Sequence, residues 1–247
     1  MRAFPLLSLT MLPAILAASV SLAGSPGPSP YPTAASAWPG EGAIRVFGWM
    51  SKDRARFWQD READQGATVL AGDSLFGGWR GAAGALSPLP VANRAIGGDT
   101  SRGLLFRFQE DVLDLAPQRI VLLIGGNDLS ALQSTEQTAR NIERMLDAAA
   151  ARQPAPSIVL CTVTPRADPK APVAPAEVAR LNERIRAIAA RRPEVTLVDL
   201  HPWFTAPDGG PDPAWFGSDR VHLSARGYER LGEALRPVLL ARAPATP

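Results

Sequence analysis

Five short apolar runs, each followed by a stretch with helical patterning, constrain this chain more than any other feature. The plainest is Arg119 to Ile124, where Ile120-Val121-Leu122-Leu123-Ile124 is continuous. It lacks the alternation of a strand with one face in water, so it reads as a strand covered on both faces. Thr68 to Gly72, Val91 to Ile96, Ser157 to Val163 and Val195 to Leu200 read as the other four strands. Between them lie helical stretches. Lys52 to Gly66 is a charged helix with Phe57 and Trp58 as its buried edge, and Phe76 to Leu86 suits a second. Asp99 or Thr100 caps a third that runs to about Leu115, and Ser134 with Gln137 forms a capping box ahead of Ala139, Ile142, Met145, Leu146 and Ala149. Val178, Leu181, Ile185 and Ile188 form one helical face, and Tyr228, Leu231 and Leu235 mark a closing helix capped by Ser224. Strands alternating with helices predict an α/β fold, one parallel five-stranded sheet in a three-layer sandwich. At 247 residues one such domain suffices, burying on the order of 70% of its unfolded surface. There is no internal repeat and no sign of a second domain.

The ends of the chain read differently. Arg2 followed by the apolar stretch Leu6 to Leu22 and the small residues Ser21-Leu22-Ala23 has the layout of a signal peptide, so residues 1–23 are expected to be removed on export. The mature protein is then secreted or periplasmic, with no stable membrane insertion after processing. Residues 24–50 are a Pro-rich leader. Its stretch from Gly24 to Gly42, rich in Pro, Ser, Ala and Gly, is either flexible or extended over the surface, and the domain occupies 51–247. The 26 basic and 24 acidic residues, a formal net charge of +2, are interspersed with no dense basic run, so nucleic acid is not an expected partner. Cys161, the single cysteine, sits inside an apolar run and reads as a buried strand residue. One cysteine and two distant histidines make no zinc ligand set, and no G-x-G-x-x-G opens a helix. Neither a metal nor another cofactor is expected.

In an open parallel sheet, ligands bind outside the carboxyl ends of the strands. Here those ends carry Gly72-Asp73-Ser74-Leu75, Gly97-Gly98-Asp99-Thr100 and Gly125-Gly126-Asn127-Asp128. Ser74 stands at a strand-to-helix turn, a place that suits a nucleophile and equally a helix cap. A base for a serine hydroxyl is usually a histidine. Asp219 and His222 are three residues apart just before the closing helix, so the carboxylate can hold the imidazole. His201, ending the fifth strand beside Pro202 and Trp203, reads as structural or as an edge of the substrate site, and Asp199 is a second candidate for the orienting acid. An oxyanion would find donors in the N–H groups of Ser74 and Gly98 and in the Asn127 amide. Trp79, Trp203, Trp215 and Phe216 are either core or the lining of an acyl or sugar site.

These four blocks, in this order and spacing, resemble the SGNH hydrolases, also called GDSL esterases and lipases. The similarity spans roughly Val69 to Leu240, and Ala95-Ile96-Gly97-Gly98-Asp99-Thr100 with Thr164-Pro165-Arg166 is similar to the branch of the platelet-activating-factor acetylhydrolase catalytic subunits and their bacterial relatives. The resemblance implies a flavodoxin-like strand order 2-1-3-4-5 and hydrolysis of esters or thioesters without a cofactor. It also implies Ser74 as nucleophile, His222 as base, Asp219 as its partner, and Gly98 and Asn127 as oxyanion donors. The expected substrate is a small-molecule or glycan ester. The rival readings are a carbohydrate O-acetylesterase or transferase, a lysophospholipase or thioesterase, and a binding module that has lost its chemistry.

Overall fold

The computed structural model describes residues 27–241. In chain order the elements are α1 (Gly48–Asp60), β1 (Thr68–Gly72), α2 (Ser74–Gly77), α3 (Ala82–Ala85), β2 (Val91–Asn93), α4 (Ser101–Asp111), β3 (Arg119–Leu123), α5 (Gly126–Ser130), α6 (Thr135–Ala150), β4 (Ser157–Cys161), α7 (Pro175–Ala190), β5 (Val195–Val198) and α8 (Ala225–Ala241). The five strands form one parallel sheet of order β2-β1-β3-β4-β5. This is the expected sheet and order.

Because side chains alternate along a strand, each central strand feeds two cores. Val69, Ala71, Ile120, Leu122, Ile158 and Leu160 pack with Leu104 and Phe108 of α4, Ile142 and Met145 of α6, and Leu181 and Ile185 of α7. Leu70, Val121, Leu123, Val159 and Cys161 pack on the other face with Phe76, Trp79, Leu231, Leu235 and Leu239. Fully burying one such aliphatic side chain contributes about 1.5–3 kcal/mol, so two cores sharing three central strands hold the carboxyl edge of the sheet rigidly. At Gly72 the approach of β1 to β3 is so close that a Cβ would stand 2.2 Å from the Leu123 carbonyl oxygen.

Several boundaries differ from expectation. The helix expected from Phe76 to Leu86 is two single turns, α2 and α3, because Gly77, Gly78 and Gly81 interrupt it. The second strand is regular only to Asn93, whose side chain turns back to accept from Ala95 N and donate to Phe76 O. Pairing nevertheless continues through Arg94 N to Leu70 O and Ile96 N to Gly72 O. The first helix begins at Gly48, and its buried residues are Met50, Arg54 and Phe57, while Trp58 is only half-buried, with the Arg61 guanidinium 3.8 Å from its ring centre. Thr100, not Asp99, caps α4, accepting from Gly103 N at 3.2 Å. Ser134 and Ser224 cap α6 and α8 through the N–H groups of Gln137 and Gly227.

The segment expected to be a signal peptide, residues 1–23, lies outside the described residues. From residue 27 the leader is bound to the domain. Tyr31 stacks on Trp38, both touch Phe106, and Arg102 donates to the carbonyls of Ala35, Trp38, Pro39 and Gly42. Buried Arg54 reaches Ser29 O while pairing with Asp111 and Glu110. A chain without apolar periodicity is thus held by two aromatic anchors and two arginines.

Candidate active site

β1 delivers Ser74 to the edge of the sheet, where Asp73 terminates the strand and accepts from Leu75 N at 3.0 Å. Across the mouth, the loop before α8 is folded on itself. Asp219 Oδ1 accepts from the N–H groups of Val221 and His222 at 3.0 and 2.9 Å, and Gly217 N donates to His222 O at 2.8 Å. This turn aims Asp219 Oδ2 at His222 Nδ1, 2.6 Å away, and His222 Nε2 lies 2.9 Å from Ser74 Oγ. A carboxylate only accepts, so Nδ1 carries the ring proton and Nε2 is left as the acceptor for the serine hydroxyl. Desolvation pushes the Asp219 carboxyl up, but the hydrogen bonds from the His222 ring and from the two backbone N–H groups outweigh it and bring it down to about 2. Over the ordinary pH range it is a carboxylate.

Ser74 N begins α2 and so has no partner within the helix. The Gly97-Gly98 turn abuts the serine, since a Cβ on Gly97 would be 3.8 Å from the Ser74 Cβ. Gly98 adopts φ = +85°, where side chains are disfavoured, and a Cβ there would stand 2.8 Å from the Phe47 ring. Asn127 Nδ2 donates one hydrogen to Asp99 O at 2.9 Å, and its residue shares with Ser74 and His222 the walls of a pocket of about 160 Å³. The remaining wall includes Arg45, Leu75, Ser130, Thr164, Arg166 and Asp168. Ser74, His222, Asp219 and Asn127 therefore converge on one place. Gly98 sits just outside the pocket wall.

Behind this edge lie three buried acids, one after each of β1, β2 and β3. Burial pushes Asp73 and Asp99 up to about 6, against the opposing pull of the Leu75 N–H and Arg166 on the first and of Arg107 on the second. Burial also raises Asp128, which holds the start of α4 by accepting from Ser101 N and Oγ. Asp99, paired with Arg107, and Asp128 brace the turns that carry Gly98 and Asn127, while Asp73 caps the turn that carries Ser74. Their position after each strand was visible in the sequence, but their burial was not.

Two alternatives that the sequence leaves open are decided by the structure. Asp199 is not near His222: it pairs with Arg186 at 3.0 Å and accepts from Thr162 Oγ1 at 2.8 Å. The aromatics Trp79, Trp203, Trp215 and Phe216 do not line the serine pocket. Trp79 and Phe216 are buried in the core, and Arg230 lies over the rings of both Trp203 and Trp215. His201 is half-buried with Nδ1 3.2 Å from Thr205 Oγ1, away from the serine. Cys161 is fully buried in β4, where desolvation pushes its thiol up. Among the described residues no three His, Cys, Asp or Glu side chains are grouped to hold a metal ion. Arg45 and Ser130 touch each other at 3.3 Å in the pocket wall, and no local signal in the sequence marks them.

The model of the GDSL-like lipase/acylhydrolase family matches residues 59–230. The chain belongs to that family. As a GDSL-like acylhydrolase it is a hydrolase of ester bonds. It is 29% identical over 226 residues to the bovine (Bos taurus) platelet-activating factor acetylhydrolase IB subunit alpha1, covering 89% of this chain and 92% of the relative. Against the human (Homo sapiens) alpha2 subunit it is 27% identical over 206 residues, or 81% and 86% of the two chains. A crystal structure of a GDSL-like lipase from Bacteroides thetaiotaomicron superposes with a TM-score of 0.68 at 25% identity, covering 76% of this chain and 97% of that one.

Proposed function

We propose that this GDSL-like acylhydrolase is an exported serine esterase that cleaves short-acyl carboxylic esters through an acyl-enzyme. The observation that carries the proposal is the unbroken line from Asp219 Oδ2 through the imidazole of His222 to Ser74 Oγ, with both contacts at hydrogen-bond distance. Ser74 Oγ attacks the ester carbonyl as His222 Nε2 takes its proton, and Asp219 stabilises the imidazolium so formed. The oxyanion is met by the N–H groups of Ser74 and Gly98 and by the Asn127 amide, each such donor contributing about 3–4 kcal/mol in the transition state. Collapse of the tetrahedral intermediate breaks the bond to the alcohol, which leaves with the proton from His222. Water then attacks the acyl-serine with His222 again as base, releasing the acid and restoring the hydroxyl.

A short acyl group is favoured by the pocket. Its volume of about 160 Å³ falls below the roughly 300–1,000 Å³ of drug-sized ligand sites, and most of the side chains in its wall are polar. The acetylhydrolase relatives agree with an acetyl-sized group. Ser74→Ala should lower turnover of p-nitrophenyl acetate by about 10⁴-fold or more, with the thermal midpoint unmoved. Retained turnover, or a fluorophosphonate that labels the protein elsewhere than Ser74, overturns the mechanism. Export is supported by Arg2, the apolar stretch to Leu22 and the small residues before Gly24. Mass spectrometry of protein recovered outside the cytoplasm should then find an N-terminus near Gly24, and an intact Met1 there would refute processing.

A further inference from the structure

The large apolar side chains that stand exposed among the described residues are Val46 (49%), Phe47 (37%), Trp49 (50%) and Leu132 (91%). They come from two places in the sequence, yet the structure ties those places together at the mouth of the serine pocket. Ala43 N donates to Gln133 Oε1, and Arg45 donates to Ser130 Oγ, so Val46 and Leu132 flank the same crossing. Trp49 donates its indole N–H to Gly97 O at 2.9 Å, and Phe47 stacks on Trp49 with ring centres 4.5 Å apart and packs against Gly98. The rim is continuous with the pocket, because Arg45 and Ser130 belong to both. Monomeric proteins seldom expose apolar groups together in this way without a partner for them.

We propose that this rim docks the protein on a lipid surface bearing anionic headgroups, presenting Ser74 to esters held in that surface. Three features favour lipid over a polysaccharide. Val46 and Leu132 have no group that could bond a sugar hydroxyl, and the one polar atom of Trp49 is already engaged with Gly97 O. Arg45 and Arg166, just inside the rim, have no carboxylate partner within 4 Å among the described residues, which suits a phosphate. Asp73 and Asp168 act on Arg166 only from farther away. Exposed aromatic rings beside cations and aliphatic side chains are also the usual composition of an interfacial anchor. No helix among the described residues is long and apolar enough to cross a membrane. The docking itself does not depend on turnover. Only the delivery of ester to Ser74 rests on the esterase reading.

The test places an environment-sensitive fluorophore on Leu132→Cys and, as a control, on Ala151→Cys, which is exposed after α6, beyond the opposite edge of the sheet. Native Cys161 is buried and stays unlabelled. With vesicles of equimolar phosphatidylcholine and phosphatidylglycerol, the label at position 132 should shift to the blue and be quenched by brominated acyl chains, while the label at 151 does neither. Val46→Asp with Leu132→Asp should weaken vesicle partition about tenfold or more at an unchanged thermal midpoint. The same label on Ser74→Ala should dock like the parent, so a failure of docking and a failure of the esterase reading are told apart. Equal responses at 132 and 151, no response at either, or a response at 132 to acetylated xylan but not to vesicles would each overturn the proposal.

Discussion

The two halves of the site are built in opposite ways. Ser74 stands on the end of β1, whose five residues are all buried and paired with β3, and it is followed by the buried Leu75 and Phe76. His222 and Asp219 stand on a surface loop with their side chains about half exposed, held by hydrogen bonds that the loop makes with itself and by Arg220 O accepting from Ala167 N. Ser74 therefore inherits its position from the cores, and His222 inherits its position from a local turn. Chemistry and stability should separate along this line.

The largest effect that tests the separation is Asp219→Asn. The amide oxygen can still accept from Val221 and His222 N–H, so the loop and the thermal midpoint should hold. The imidazole loses the carboxylate that fixes its tautomer, and kcat should fall about 10³–10⁴-fold. A matching loss of stability would show that the loop is not self-contained. On the other half, Gly72→Ala should act in the reverse sense. Its Cβ would press on the Leu123 carbonyl, which cannot yield without parting β1 from β3, and denaturant unfolding should show a loss of about 1–3 kcal/mol. If the protein instead keeps its stability, the rigidity attributed to the central strands is wrong.

The smallest effect concerns pH. Asp73 has a folded pKa of about 6 against an ordinary 3.8, so the folded protein binds its proton more readily than the unfolded chain does. Its contribution to stability must rise as pH falls from above 6 toward 3.8 and level off below that. In Asp73→Asn this component is absent. The difference in unfolding midpoint between pH 7 and pH 4.5 should therefore move in the variant toward greater relative stability at pH 7. An unaltered difference would mean that Asp73 titrates like an exposed carboxyl. The exposed Asp219, held near 2, should by contrast stay charged through the whole window.

How much of this was legible in sequence depends on the range of the interaction. The runs at 68–72, 119–124 and 157–163 declared their strands because burial on both faces leaves no polar alternation to read. Asp219 and His222 were legible for a similar reason, since three residues are enough for one turn to join them. The leader was not. Tyr31, Trp38 and the carbonyls that Arg102 collects lie about sixty residues or more from their partners at 102 and 106, and no local period records such a contact. For the same reason nothing in the leader's sequence marks Arg45, Phe47 and Trp49 as neighbours of the serine, whereas Trp79, Trp203 and Trp215 are candidate site aromatics that packing places elsewhere. A tryptophan in sequence has no address until packing decides which of its faces meets solvent.

The amino-acid order alone determined the sheet, its helical covering and the four blocks that could carry chemistry, because these follow from side-chain polarity within a few residues of one another. Tertiary structure alone decided that a hydroxyl and an imidazole 148 positions apart would meet at 2.9 Å, that Asp199 would serve Arg186 instead, and that the leader would form one lip of the pocket. Those outcomes depend on where two cores and a strand crossing bring distant backbone together, and the geometry of that meeting is a property of the whole packed chain.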